Sequence, residues 1–404
     1  MMDHGGWHPE LVILIVLLGF IGYSMMSKAV GRTLLTLPII FVLLGLALSG
    51  PVHSVGFADA SVHMAKRFLA EITLVLVLFA DASHVRLSRL RSNFGLPLRM
   101  LAIGLPLTIA LGTLVAFFLN PAAGLAMALL TAAVLTPTDA ALGQAVVSKP
   151  DVPDRIGGTI NVESGLNDGL VLPFVLVGAV FAASGAAETD GLALTVLLQI
   201  VLGPLVGALV GWIAATTLDY VEDRDWALQS AQGVVFLSTA FVAFLVAELV
   251  GGNGFIAAFV AGMVFGNAYR HDPHFIREFM EGTGQILTMA AFFGFGAFLL
   301  PDGLAHISIQ SVLLAAAFLT FVRIVPIWIS LGGSGLPTSE KLFLGWFGPR
   351  GLASILFTLI ILDEFDFATE TELLACVSMT VFLSVLMHGL SSNPLVRRLM
   401  RAPS

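Results

Sequence analysis

Charged residues at Asp139, Glu163, Asp168, Arg323 and Arg350 fall inside long apolar runs of this chain. At the centre of a bilayer such a charge costs about 2.5–3.5 kcal/mol on insertion scales, so each needs a task or a partner. Glu163 and Asn167 are four residues apart, as are Ser164 and Asp168, and each pair shares one face of a helix. Ser164 and Asp168 therefore project side by side as hard oxygen ligands for Na+, K+ or Li+. No His/Cys cluster offers a transition-metal site. Upstream lies Leu135-Thr136-Pro137-Thr138-Asp139. Pro137 lacks an amide donor and breaks the helix, and the freed backbone groups are tolerable only in a cavity or against polar partners. Thr138 or Asp139 then caps the second half-helix. The plainer readings are a capped kink and a polar helix seam. The functional reading is that Thr138 and Asp139 border the same cation site as Asp168 and Ser164. Glu163 is expected to pair with Arg350, with Arg323 as the competing partner, because a lone buried charge is expensive.

The elements that must position these residues follow from composition. The chain has 404 residues, 57% hydrophobic and 11% charged, with a mean hydropathy of +0.95. Soluble domains carry about 25% charged residues, so a bilayer is the natural solvent. Residues 1–8 lack a basic leader pattern, and Leu11 to Met25 reads as the first spanning helix. Apolar runs of spanning character lie near 9–26, 33–50, 67–83, 98–119, 123–147, 157–184, 191–218, 229–250, 253–268, 283–300, 307–331, 340–362 and 372–390. The expected fold is an all-α polytopic membrane protein of about thirteen spans, forming one membrane transport domain.

With the C-terminus in the cytoplasm, Lys66 and Arg67 alone face outward, Arg323 and Arg350 lie within spans, and the other fifteen of 19 Lys and Arg face inward. That asymmetry puts the N-terminus outside and leaves 391–404 as a short basic cytoplasmic tail. Thirteen spans also allow two inverted six-helix repeats, about 9–184 and 229–390, joined by a connector helix near 191–218. The fifth run of each is interrupted, at 136–139 and at 348–351 (Gly348-Pro349-Arg350-Gly351). Broken helices in matching places point to a substrate site at mid-membrane.

Other features carry less. Cys376, the single cysteine, reads as a packing residue, and the histidines, scattered through loops and helix ends, as solvated. Gly251-Gly252-Asn253-Gly254 lacks the Lys-Ser/Thr of a phosphate loop and reads as a turn. There is no nucleophile–base motif, no cofactor motif and no basic tract for nucleic acid, so neither an enzyme nor a nucleic-acid binder is expected.

The chain resembles the NhaP-type sodium/proton antiporters of the monovalent cation/proton antiporter superfamily. The motifs are TPTDAALGQAVV at 136–147, NVESGLNDG at 161–169, GNGFIAAFVAGMVFGN at 252–267, GPRGLAS at 348–354 and HGLSSNPL at 388–395. The resemblance implies thirteen spans, crossed broken helices and a homodimer in the inner membrane, with lipid, a monovalent cation and protons as partners. It makes Asp168 the carboxylate that binds cation or proton, beside Asp139 and Thr138, with Ser164 as a further ligand. Asp81 completes the site, and Glu163 with Arg350 matches a structural ion pair. Asn167 holds the place of an aspartate in electrogenic relatives, implying electroneutral 1:1 exchange by alternating access. Where many relatives have proline after the aspartate of the fifth helix, this chain has Ala140. The alternatives are a sodium-coupled symporter of an organic solute on the same fold, and a membrane cation or pH sensor.

Overall fold

The structure, a computed structural model, describes residues 8–30, 33, 35–54, 60–85, 95–139, 142–143, 152–184, 189–367 and 369–399. Among these every regular element is helical: α1 (Pro9–Val30), α2 (Leu37–Ala47), α3 (Ser49–Ser54), α4 (Ala60–His84), α5 (Gly95–Leu119), α6 (Gly124–Leu135), α7 (Asp154–Ser184), α8 (Thr189–Glu222), α9 (Gln229–Leu249), α10 (Gly254–Ala268), α11 (His274–Ala305), α12 (Ile309–Leu319), α13 (Phe321–Ser330), α14 (Thr338–Trp346), α15 (Leu352–Glu364) and α16 (Glu370–Leu399). The described part of each apolar run read from the sequence falls on one or more helices. Eight described helices are long and apolar enough to cross a membrane, and Leu37–Ala47, Pro121–Leu135 and Gly254–Ala268 are shorter apolar helices. Residues 140–141 and 144–147 of the 123–147 run lie outside the described residues. So does the end of the expected tail, whose first part, 391–399, is a continuation of α16.

Two groups of helices pack differently. In α8, Gly203, Gly207 and Gly211 recur every four residues and lie against the backbone carbonyls of Asn253, the N-cap of α10, and of Ala257 and Ala261 within it. On another face of α10, Gly262 and Gly266 lie against the carbonyls of Phe79 and Ser83 in α4. Small residues at helical spacing let backbones touch where lipid removes the hydrophobic drive to associate. The result is a zipped body of α4, α8 and α10, with Phe79, Phe236 and Phe265 stacked edge to face beside it. The second body holds α6, α7, α15 and α16. Gly178 of α7 sits against the backbone of Leu130 in α6, and buried serines tie the broken helices to their neighbours.

The interruptions stand where the sequence placed them. Helix α6 stops at Leu135, and residues 137–139 are non-helical. Helix α14 stops at Trp346, 347–351 are non-helical, and α15 begins at Leu352. A third break, at Thr320, separates α12 from α13.

Candidate ion-binding site

The two breaks meet. The amide of Asp139 donates to the carbonyl of Pro349 at 2.7 Å, joining one non-helical stretch to the other. The Asp139 carboxylate then serves both half-helices: Oδ1 accepts from the amide of Leu142 at 2.9 Å and Oδ2 from that of Leu352 at 2.6 Å. Helix N-termini present unpaired amides and partial positive charge, so one anion shared between two of them is strongly favoured. Gly351 makes this possible, because a Cβ there would overlap the Asp139 carboxylate. The opposite ends are treated with the opposite sign. Pro137 leaves the carbonyls of the α6 C-terminus free, and the Arg350 guanidinium donates through Nη1 to those of Thr136 and, at 3.1 Å, Pro137.

This corrects the expected Glu163–Arg350 ion pair. Arg350 is fully buried, and its charge is drawn to the carbonyl end of α6. Glu163 instead takes Arg323 of α13 in a two-pronged pair, Nη1 to Oε1 and, at 2.7 Å, Nη2 to Oε2. A planar guanidinium matches a carboxylate in this fork geometry. Gly348 leaves the space for it, since a Cβ at that position would overlap the Arg323 guanidinium. Both partners are buried, with Glu163 2% and Arg323 4% exposed, so the pair is a brace within the helix bundle.

The remaining polar groups of α7 face the same break. Thr138 Oγ1 lies 3.0 Å from Ser164 Oγ and accepts from Asn167 Nδ2 at 2.6 Å. The Asn167 amide thereby holds Thr138 in place and leaves its own Oδ1 with no partner. Asp168 Oδ1 is also buried and without a partner. Asp168 feels the charges of Asp81, Asp139 and Glu163. Asp81, half-buried on α4, has its backbone against Gly165 of α7, where a Cβ would be 3.4 Å from the Asp81 carbonyl. The structure thus gathers Thr138, Ser164, Asn167 and Asp168 at the break, with Asp81 on the facing helix. Asp139 stands among them with both carboxylate oxygens already accepting backbone amides. Unsatisfied oxygens inside a membrane protein are costly and demand an explanation. Hard oxygens from a carboxylate, two hydroxyls and an amide are the donors an alkali cation takes.

The family description "sodium/hydrogen exchanger, transmembrane" matches residues 13–398. The chain belongs to the sodium/hydrogen exchanger family. Within it, the chain is 28% identical over 407 residues to the Na(+)/H(+) antiporter ApNhaP of Aphanothece halophytica, covering 96% of this chain and 74% of that one. It is 22% identical over 336 residues to the K(+)/H(+) antiporter NhaP2 of Shewanella baltica, covering 82% of this chain and 57% of that protein. The chain thus spans little more than half the length of that relative. Its fold is that of the sodium proton antiporter MjNhaP1 from Methanocaldococcus jannaschii, with a TM-score of 0.76 at 19% identity over 97% of this chain and 99% of that one. It is therefore a multi-pass membrane protein of the NhaP type.

Two features of this family member escaped sequence reasoning. The paired serines, Ser354 donating to the Val134 carbonyl at 2.6 Å and Ser384 accepting from the Arg350 amide at 2.6 Å, fasten both breaks, yet each looks ordinary in sequence. His271, read as solvated, sits in the turn between α10 and α11 against the end of α8. Its Nδ1 is 2.9 Å from Asp219 and its Nε2 is 3.3 Å from Asp223. The hydrogen bond to Asp219 holds its pKa above the ordinary 6.5. Tyr269 beside it donates to both oxygens of Glu222 at 2.9 Å, and partial burial raises the phenol above its usual range. A basic residue following the α10 run and acids closing the α8 run were the only available signal.

Proposed function

We propose that the chain exchanges a monovalent cation for protons across the inner membrane, one for one, by alternating access at Asp168. The observation that carries this reading is the buried, unpartnered Asp168 Oδ1 beside the unpartnered Asn167 Oδ1, next to the hydroxyls of Thr138 and Ser164. The printed names of its relatives, Na(+)/H(+) and K(+)/H(+) antiporters, support the same reading.

The chemistry follows from charge. Asp168 carries either a cation or a proton, because an uncompensated carboxylate in low dielectric is too costly to move. Arrival of the cation displaces the proton, and the reverse occurs on the other side. Asn167 is neutral and already donates to Thr138, so it orients a ligand and takes no proton of its own. One titrating carboxylate then exchanges one charge for one charge. Asp139 keeps the two breaks together by capping α15 and the segment after Asp139, and it contributes negative potential to the site. Thr138 and Ser164 supply neutral oxygens, and Asp81 adds a carboxylate from the facing helix. Na+ is the favoured cation, with K+ or Li+ served by the same oxygens.

The Lys/Arg asymmetry supports an outside N-terminus and a cytoplasmic C-terminus. The matched breaks support two inverted repeats, about 9–184 and 229–390, with α8 as connector. Rows of exposed apolar residues on α1 (Leu14, Leu18, Ile21) and α8 (Leu205, Leu209, Trp212) suit lipid or a second copy, and the chain is read as a homodimer.

The test is purified full-length chain in proteoliposomes with an internal pH dye, given Na+, K+ or Li+. Proton movement with at least one of them is expected, at a rate insensitive to imposed voltage. A transport current would overturn the one-for-one count, and no proton movement with any of the three would overturn exchange itself.

A further inference from the structure

Gly169 directly follows Asp168 on α7, and the space beside it is taken. A Cβ at Gly169 would overlap Cγ, Cδ1 and Cδ2 of Phe259, whose ring lies on the glycine. Phe259 is 3% exposed and packs in one cluster with Leu166, Val171 and Leu172 of α7. Phe259 belongs to α10, the central helix of the zipped body, while Gly169 belongs to the body that carries the site. The helix α10 is held against α8 and α4 through backbone contacts at Ala257, Ala261, Gly262 and Gly266. Movement between the two bodies therefore displaces Phe259 from Gly169 before it disturbs α10 within its own group. At Gly165, one turn earlier on α7, a Cβ would make ordinary contact with Asp81. At Gly169 a large ring fills the groove instead.

The ring also has a side. Gly169, at the middle of α7, lies one turn nearer the Ser184 end than Gly165, whose neighbour Asp81, half-buried, lies near the His84 end of α4. We infer that Phe259, seated on Gly169, is the seal that closes Asp168 from the face at which α7 ends, and that its displacement is required before the carboxylate exchanges ions with that face. This inference rests on the exchange reading above. Phe259 acts as a positioning residue: it touches neither cation nor proton, and it separates one aqueous face from the carboxylate.

The consequences separate a seal from a packing residue. Phe259→Ala opens the seam, so protons cross by way of Asp168 without a cation. Liposomes carrying this variant lose an imposed pH gradient in choline buffer at least about tenfold faster than wild type, and adding Asp168→Asn removes the leak. Gly169→Ala pushes the ring out of its seat and lowers exchange by roughly tenfold or more, because overpacked seams do not close in the native arrangement. The double variant Gly169→Ala/Phe259→Ala, with the clash gone, regains exchange over Gly169→Ala alone but keeps the leak. If Phe259→Ala does not fold, Phe259→Leu carries the same arm, since leucine is too small to span the groove. Wild-type liposomes run in parallel: no exchange there defeats the transport reading, not the seal. With wild type active, a folded Phe259 variant that is tight to protons overturns the seal, as does wild-type exchange by Gly169→Ala or a leak that survives Asp168→Asn.

Discussion

Asp139 and Asp168 are both buried carboxylates at the crossing, and their surroundings give them different work. Both oxygens of Asp139 are committed to the amides of Leu142 and Leu352, whereas Oδ1 of Asp168 has no partner. Asp139→Asn retains one acceptor and loses the charge shared by two helix N-termini, so it should cost about 1–2 kcal/mol of stability as well as activity. Asp168→Asn removes an unsatisfied anion and should leave the thermal unfolding temperature unchanged or raised. Unfolding followed by tryptophan fluorescence in detergent separates the two, and equal destabilisation by both would contradict the division. The arginines divide similarly. Arg323→Ala strands Glu163 and should destabilise by roughly 3–5 kcal/mol, and adding Glu163→Gln should recover much of it; a double variant no better than the single would dissolve the pair. All these residues are legible in the sequence, since charges in apolar runs declare themselves. Which arginine meets Glu163 is not, because the Thr136 and Pro137 carbonyls that claim Arg350 lie more than two hundred residues away along the chain.

At the scale of the element, both breaks were marked by Pro137 and by the Gly-Pro-Arg-Gly stretch, and their meeting depends on the glycines. Gly351→Ala would drive a methyl group into the Asp139 carboxylate. The expected outcome is loss of exchange, with a lowered unfolding temperature in the same fluorescence measurement; wild-type exchange by this variant would mean the breaks do not need to touch. The third break, at Thr320, carried no proline or glycine signal, and Arg323 reaches Glu163 from the helix that starts there. The sequence reading of histidines as solvated fell short at His388, buried with its Nε2 3.0 Å from the Trp346 carbonyl, and in the turn after α10. With His271 held above its ordinary 6.5 by Asp219, its contacts stabilise the fold fully below that ordinary value. They are lost as pH rises through the raised one. Hydrogen-exchange protection of residues 269–273 should therefore fall with rising pH from the histidine range upward, and His271→Gln should flatten that dependence. A profile unchanged by the substitution would show that the ring does not fasten the turn.

At the scale of the molecule, composition alone demands a bilayer, and the periodic apolar runs supply the helices. The division into two bodies was not legible, because it rests on which glycines find a backbone opposite them. Gly203, Gly207 and Gly211 are an unremarkable pattern until α10 lies against them. That division gives the site its setting: one body carries the oxygens at the crossed breaks, and the other faces it with Asp81 and Phe259. The central claim is that one carboxylate in this setting alternates between cation and proton. The most direct measurement compares wild type with Asp168→Asn at matched density in proteoliposomes, reading internal pH on addition of Na+, K+ or Li+. Wild type should move protons with at least one cation, and Asp168→Asn should move none while unfolding no earlier than wild type. Exchange retained by Asp168→Asn would contradict the account.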